Sequence, residues 1–462
     1  MNVTIAVLPK KDDGSNQGID DFLGAGGSLD ELQYVEYTGN RLGLLPRDWP
    51  TLGKEAFHGP AGRIVEKIKP NTEADPAALL LVLLAAYGNV IGRGAHFVVE
   101  DDTHFAKLFV LLVGRSSKAR KGVAQTRVNS LMERVEETWV DRCNATGLAS
   151  GEGLTHRVRD RREKVNSEGK TEVADAGVAD KRLLVEEPEF AGLLTTMKRE
   201  GNNLSMQVRK AWDNTKLQNL SKNAAETATN SHISIVAHTN QGELNMHLTH
   251  EKLGGGLINR FLPVVVRRWQ LLPEGGMPDI FEKSDLQDLE DAISFGRKKR
   301  HIRLSDTHED EYGASAKELW YEVYAELSEP SPGLLGEATA RSEAQVRRLA
   351  MIYAALDCSE EVGVAHLMAA LTVWAYVFES CKMLFGGKIG DDLSDDILDA
   401  LKDAGDAGMT QSEIHELFSN NKKASLIRAA LNKMESEGWV HHKMIKSKGP
   451  GRHTLRWWIN DV

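Results

Sequence analysis

Cysteine is almost missing: three residues in a chain of 462, Cys143, Cys358 and Cys381, widely spaced and never paired as C-x-x-C. Such an odd, scattered set forms no disulfide framework and lacks the ligand spacing of a structural zinc site, so a reducing compartment is expected. Positive charge is in the minority. Lys plus Arg number 57 against 67 Asp plus Glu, a net charge of -10. That excludes a histone-like wrapper and leaves any nucleic-acid contact to a local basic surface. Long hydrophobic runs are missing too. The longest, Ala77 to Tyr87, lies between Asp75-Pro76 and Gly88-Asn89 and is shorter than the roughly 20 residues of a bilayer span. The start, MNVTIAVLPKKDDG, has no basic segment followed by a long apolar one, so no secretory signal is expected. The expectation is a soluble, cytoplasmic protein with no membrane partner.

What is present, 41% hydrophobic residues, is enough for two or three domains with real cores. Residues 1–45 hold an apolar strand at Val3 to Leu8, the stretch IDDFL and a turn at Gly24 to Gly27, too little for a domain. In 46–272, helices are expected at Arg63 to Lys69 and Asp75 to Ile91, and a strand at Phe97 to Glu100. Leu108 to Val113, Leu183 to Val185 and Ile233 to Ala237 are short, continuous apolar runs, each followed by polar residues and a helical pattern, and Phe261 to Leu272 supplies a last β segment. That repetition predicts an α/β fold with a mainly parallel sheet, its ligand at the C-terminal ends of the strands. Residues 273–385 read as a helical domain with helices at 286–299, 314–327, 337–356 and 365–384, and Gly-rich 386–393 as a linker. In 394–462, a helix from Asp395, a capping box Thr410-x-x-Glu413, a helix over Lys423 to Gly438 and two β segments around KSKGPGR predict a winged helix.

The first buried strand runs into Gly114-Arg-Ser-Ser-Lys-Ala-Arg-Lys-Gly122. A glycine leaving a strand, the hydroxyls of Ser116 and Ser117, the cations Lys118, Arg120 and Lys121, and a following helix are the parts of a phosphate cradle. The strict G-x-x-x-x-G-K-[ST] spacing is not met, since Ala119 and Arg120 occupy the glycine and lysine positions. A basic surface turn is the plainer alternative. RLLVEEPEF places Glu187 and Glu189 at a strand end, where one carboxylate can hold Mg²⁺ and the other polarise water, although Pro188 and acids also suit a helix start. His238 ends the next strand, a position for sensing a γ-phosphate or for an ordinary turn. Arg260 fits either a trans arginine finger or a salt bridge at a strand start. From residue 422 onward nine basic residues face three acidic ones. Lys422, Lys423, Arg428, Lys443, Lys446, Lys448 and Arg452 are the candidates for DNA phosphates.

Several stretches together resemble one family, the RecA-like P-loop ATPase domain of phage, plasmid and integrated-element primase-helicases. They include WPTLGKEAFHGPAGRIVEKIKP from 49, FVLLVGRSSKARKG at 109–122, GLASGEGLTHRVRD at 147–160, RLLVEEPEF at 182–190, GNNLSMQVRKAWD at 201–213, HISIVAHT at 232–239 and INRFL at 258–262. The resemblance implies ATP with Mg²⁺ as cofactors and hydrolysis coupled to single-stranded or forked DNA. It implies a helicase or translocase in mobile-element DNA replication, assembled as a homo-oligomer of the hexameric, ring-forming kind and served by a separate primase. It places Gly114, Lys118, Arg120, Lys121 and Gly122 in the nucleotide loop, Glu187 and Glu189 at the Walker B position, His238 on the sensor strand and Arg260 in INRFL. Ser150, Gly151 and Glu152 match a further motif without a derived role. QGIDDFLGAGG at 17–27 resembles the tail of a toprim-type primase-associated region whose body is missing. One departure stands out: relatives continue RKG with Thr-Ser, whereas this chain has Val123 and Ala124. A metal-coordinating hydroxyl then has to come from Thr126, Ser116 or Ser117, or the protein is an ATP-binding, weakly hydrolysing DNA-binding regulator or loader.

Overall fold

A computed structural model describes residues 4–7, 33–36, 49–115, 117–214, 216–219, 226–246, 256–387, 389, 391–418, 422–445 and 454–460. The chain divides into two units, Met1–Thr51 and Leu52–Val462. In the first, Thr4–Val7 pairs antiparallel with Gln33–Glu36, a partner strand the sequence pattern did not reveal. QGIDDFLGAGG and the Gly24 to Gly27 turn lie outside the described residues.

The second unit is α/β around a five-stranded sheet. Its strands are β1 (Phe109–Val113), β2 (Asn144–Thr146), β3 (Arg182–Glu187), β4 (His232–Thr239) and β5 (Phe261–Val265), in the order β5-β1-β4-β3-β2. Every pairing is parallel, with Ala237 of β4 opposite both Leu111 of β1 and Glu187 of β3. A strand covered on both faces can be apolar at every position. All five residues of β1 and all five of β5 are buried. Of the stretch 261–272 only 261–265 is strand, since β1, its partner in the sheet, ends at Val113 opposite Val265.

Helix α1 (Gly59–Ile68) precedes α2 (Pro76–Ile91), which begins where expected, with Asp75 accepting from the Ala77 N–H at 3.0 Å and Pro76 at the first turn. All sixteen residues of α2 are buried, which is what a helix that is apolar all round requires. Its one buried amide joins three elements: Asn89 Nδ2 donates to the Leu183 and His232 carbonyls, and Oδ1 accepts from Trp139 Nε1. Helix α3 (Lys121–Cys143) follows β1, α4 (Phe190–Met197) follows β3, α5 (Leu204–Trp212) comes next, and α6 (Gln241–Asn245) follows β4. Arg162–Val165 and Thr171–Asp175 form an exposed hairpin before β3.

Beyond the sheet, α7 (Ser342–Leu356) and α8 (Val364–Phe385) pack on each other and on the core, and the Tyr376 hydroxyl donates to the Val265 carbonyl at 2.6 Å. The expected single helix 337–356 is two, Gly333–Thr339 and α7, with Ala340 and Arg341 between them. Among the described helices, α8 alone is long and apolar enough to cross a bilayer, and 61% of its most apolar window is buried inside the protein. The C-terminal stretch has α9 (Asp392–Ala404), α10 (Gln411–Leu417) and α11 (Ala424–Ser436), with a three-stranded antiparallel sheet of Met409–Thr410, Thr454–Ile459 and Val440–Ile445. The Thr410/Glu413 capping box is formed in both directions. Ile389, Ile397, Leu401, Ile427, Leu431, Met434 and Trp457 build a separate small core there, whereas Leu426 is half exposed.

Candidate functional site

At the C-terminal ends of β1, β3 and β4 lies a cavity of about 770 Å³, lined by Arg120, Lys121, Gly122, Val123, Thr126, Glu189, His238, Thr239, Asn240 and Glu243 among others. Three segments far apart in sequence meet there because the three strands are parallel neighbours. The loop leaving β1 starts with Gly114, where a Cβ would stand 2.5 Å from the Val266 carbonyl oxygen and 2.7 Å from Ala119 Cβ. Only glycine fits.

The loop runs one residue longer than the strict phosphate-loop spacing. Arg120, immediately before α3, has φ 54°, the left-handed conformation for which glycine is the ordinary residue. Lys121 is therefore the first residue of the helix, and its ammonium donates back across the loop to the Gly114 carbonyl at 2.8 Å. Arg120 turns the other way, and its Nε donates to Glu73 Oε2 at 2.6 Å. Glu73 also accepts from the Leu272 N–H and has Arg268 at 3.7 Å. The Leu272 N–H and the two guanidiniums hold its carboxyl below the usual range against burial. Of the two adjacent cations, Lys121 closes the loop and Arg120 is tied to the N-terminal side of α2. Lys118 is exposed and does not line the cavity; the Ser117 side chain and all of Ser116 lie outside the described residues.

The carboxylates divide differently from the sequence expectation. Glu187, expected at the metal, does not line the cavity. It is 7% exposed, Oε2 accepts from the Leu148 N–H at 2.9 Å, and Oε1 from the Glu189 N–H at 3.2 Å. One oxygen fixes the turn after β3 and the other ties the segment that follows β2 to it. Glu186, on the other face of the strand, accepts from Gln125, Asn129 and Asn144 at 3.1, 2.6 and 2.6 Å, clamping α3 to the strand end. Glu189 is exposed and lines the cavity. Glu243, which sequence reasoning passed over, lines it too. The available signal was its place three residues after Asn240, whose Oδ1 caps α6 by accepting the Glu243 N–H at 2.9 Å.

His238 stands at the cavity with Nε2 buried and without a partner among the described residues. Burial, with the Lys121 charge beside it, lowers it to about 4, so the imidazole is neutral at physiological pH. Burial also pulls Lys121 below the ordinary lysine range, while Glu243 acts in the opposite sense. Val123 lines the cavity and Ala124 is buried, so neither supplies a hydroxyl. Thr126 lines it, with Oγ1 donating to the Gly122 carbonyl at 3.0 Å. A Cβ on Gly122 would meet nothing within 4 Å.

Arg260 is the second correction. It is 6% exposed, donates to Asp213 at 2.5 Å and to the Gly256 carbonyl, and packs near the Trp212 ring. A guanidinium committed to a carboxylate inside its own chain is not presented to a neighbour, and the salt-bridge reading of Arg260 is the one realised. Ser150 caps the helix Gly151–Arg157 by accepting the Gly153 N–H, and a Cβ on Gly151 would lie 2.0 Å from Asn203 Oδ1, so that motif shapes a helix start. Lys422, Lys423, Arg428 and Lys443 are exposed around α11 and the strand after it; Lys446, Lys448 and Arg452 lie outside the described residues.

One other cluster has ligand-type side chains. Asp357 Oδ2 lies 2.6 Å from His58 Nε2 and 3.1 Å from His366 Nε2. His366 Nδ1 accepts the Gly363 N–H at 2.9 Å, which puts the proton of the neutral ring on Nε2, where it donates to Asp357. In that tautomer the ring's one lone pair, on Nδ1, is already taken by the Gly363 N–H, and the trio reads as a bolt joining α1, α7 and α8. No protein-family model matches the chain, and no curated protein is significantly similar to it.

Proposed function

We propose that the chain is an ATP-binding, DNA-directed ATPase with a RecA-like P-loop core, of the helicase or translocase type that serves mobile-element replication. The observation that carries this is the cavity at the C-terminal ends of a parallel sheet, closed by a glycine-led loop whose lysine begins the next helix. The amide hydrogens of Lys121 and Gly122 have no acceptor within their own helix turn. With the Lys121 ammonium they suit the β- and γ-phosphates, and the unpartnered His238 nitrogen suits a terminal phosphate oxygen. Glu189, on the cavity wall, is the residue to orient the attacking water. Mg²⁺, when bound, neutralises charge building on the transferred phosphoryl group. The cavity fits both groups: it is large enough for a nucleotide and has carboxylate and cationic sides.

Three helices and a small antiparallel sheet support a winged-helix reading of the C-terminal stretch, with Lys422, Lys423, Arg428 and Lys443 on DNA phosphates. A homo-oligomer and a separate primase partner belong to the same proposal. With Arg260 internal, any trans cation comes from another residue.

The test is ATP hydrolysis by the purified full chain with and without single-stranded DNA, beside Lys121→Ala and Glu189→Gln. The expected result is severalfold stimulation by DNA and a loss of about 100-fold or more in either variant. A second reading, a nucleotide-dependent DNA-binding regulator, is favoured by one observation: Val123 stands on the cavity wall where a hydroxyl would help hold the metal. ATP binding without DNA-dependent turnover selects it.

A further inference from the structure

The charges around the cavity are unusual for a site that receives an anion. Two cations line it, but Arg120 is committed to Glu73 at 2.6 Å. His238 is neutral. That leaves Lys121 facing two carboxylates, Glu189 and Glu243, a local balance of one negative charge before any ligand arrives. Glu243 is the more confined of the two. It sits in the first turn of α6, its backbone held by the Asn240 cap and its Oε2 accepting from Thr239 Oγ1 at 3.3 Å. It interacts electrostatically with Lys121 without forming an ion pair, since the ammonium's hydrogen bond goes to the Gly114 carbonyl. A bare triphosphate entering here gains Lys121 but meets both carboxylates on the walls of the same cavity, in a setting where water screens them only in part. The same triphosphate carrying a divalent cation brings its own counter-charge, which the carboxylates attract.

We infer that Glu243 is a specificity-determining residue that makes the cavity accept a triphosphate as its divalent-metal complex and reject the bare anion. Glu243 would repel uncomplexed phosphate from Lys121 and would attract the divalent cation of the complex. The inference rests on the ATP-binding reading above and adds to it a residue and a ligand form. Glu187 does not serve this purpose, because its side chain does not line the cavity and both of its oxygens are engaged by the backbone N–H groups of Leu148 and Glu189.

The experiment is equilibrium binding of ATP to the full chain in excess Mg²⁺ and in EDTA, for the parent, Glu243→Gln and Glu243→Asp. The parent should bind the Mg²⁺ complex at least about tenfold more tightly than free ATP, the scale of one partly screened unit charge. Glu243→Gln should shrink that ratio to about two- or threefold, mainly by tightening binding in EDTA, because removing a carboxylate removes repulsion of the bare anion. Glu243→Asp keeps the charge and should keep the parental ratio. A Glu243→Gln ratio equal to the parent's, with ATP still bound, overturns the inference alone. Failure of the parent to bind ATP in either condition overturns the ATP-binding reading and the inference with it. Circular dichroism checks that the variants are folded, and Glu243→Ala, which removes the same charge and should shrink the ratio in the same way, supplies the answer if the glutamine variant does not fold.

Discussion

The two ends of the five-stranded sheet carry similar residue types and use them in opposite ways. Before β1 and β5, at their N-terminal ends, Lys107 and Arg348 are fully buried and Arg260 nearly so. The guanidiniums of Arg348, Arg341 and Arg260 lie 3.7, 4.8 and 5.8 Å from the Trp212 ring, and Asp213 holds Arg260 at 2.5 Å and Arg341 at 3.7 Å. Arg348 donates to the carbonyls of Lys107 and Trp212, and Lys107 to that of Ala211. At the C-terminal ends, Lys121, Glu189, His238 and Glu243 stand around open space, with few protein partners apiece. The lesson is that charge density alone does not mark a site. At one end, cations are consumed in holding loops to helices; at the other, the fold holds the backbone and leaves the side chains facing the cavity.

The contrast is broken most forcefully at Arg348. Arg348→Ala removes a fully buried side chain, leaves the Lys107 and Trp212 carbonyls short of a donor, and opens a void over the indole. The expected cost is about 3 kcal/mol or more, read by urea unfolding. In the fraction that remains folded, ATP affinity should be unchanged. Lys121→Ala should show the reverse, a large loss of ATP binding with little change in stability. A stability loss under about 1 kcal/mol for Arg348→Ala would mean that the N-terminal end is not structural in this sense and has a ligand of its own.

Acid sharpens the comparison at both ends. Burial lowers His104, beside Arg348, and His238, in the cavity, to about 4 each. A histidine whose folded pKa lies below its unfolded value takes up its proton first in the unfolded chain. Stability is therefore full above about pH 6.5 and declines as pH falls toward 4, by less than about 3 kcal/mol per residue, because both side chains are partly accessible to water. His104→Gln and His238→Gln should each flatten the slope of unfolding free energy against pH between those limits. If ATP binds in the cavity as proposed, saturating ATP with Mg²⁺ should change the slope contributed by His238, which lines it, and leave that of His104 untouched.

Much of this architecture was legible because it is local. A five-residue strand with no polar position announces burial on both faces, the Asp75-Pro76 start fixes α2, and Thr410 with Glu413 caps α10 as the pattern says. The β segments around the KSKGPGR tip and the α/β alternation followed from the same periodicities. What escaped is set by partners far away in sequence. Arg120 and Lys121 are chemically alike and adjacent, and Glu73, 47 residues upstream, decides which of them leaves the loop. Glu187 and Glu189 look like a pair, yet the Leu148 N–H engages one and leaves the other at the cavity. Arg260 sits next to an apolar strand in a motif that suggests a finger, and Asp213, 47 residues earlier, takes it inside. Glu243 was passed over because a short helix after a strand looks like any other capped helix until the cavity is seen beside it.

The smallest expected effect is the most informative about the loop. Arg120 holds a left-handed conformation that costs a non-glycine residue about 1 kcal/mol, and its partly exposed ion pair with Glu73 returns about the same amount. Arg120→Gly relieves the first and forfeits the second, while Glu73 keeps the Leu272 N–H and Arg268. Thermal unfolding should therefore shift by no more than the equivalent of about 1 kcal/mol in either direction. ATP affinity should stay within about threefold of the parent, because Lys121, not Arg120, spans the loop. A loss of ATP binding as large as that of Lys121→Ala would mean that Arg120 leaves Glu73 when phosphate arrives. The carboxylate on α2's N-terminal side would then be a holding partner for a second phosphate-binding cation, and the loop would work with two cations where the structure shows one.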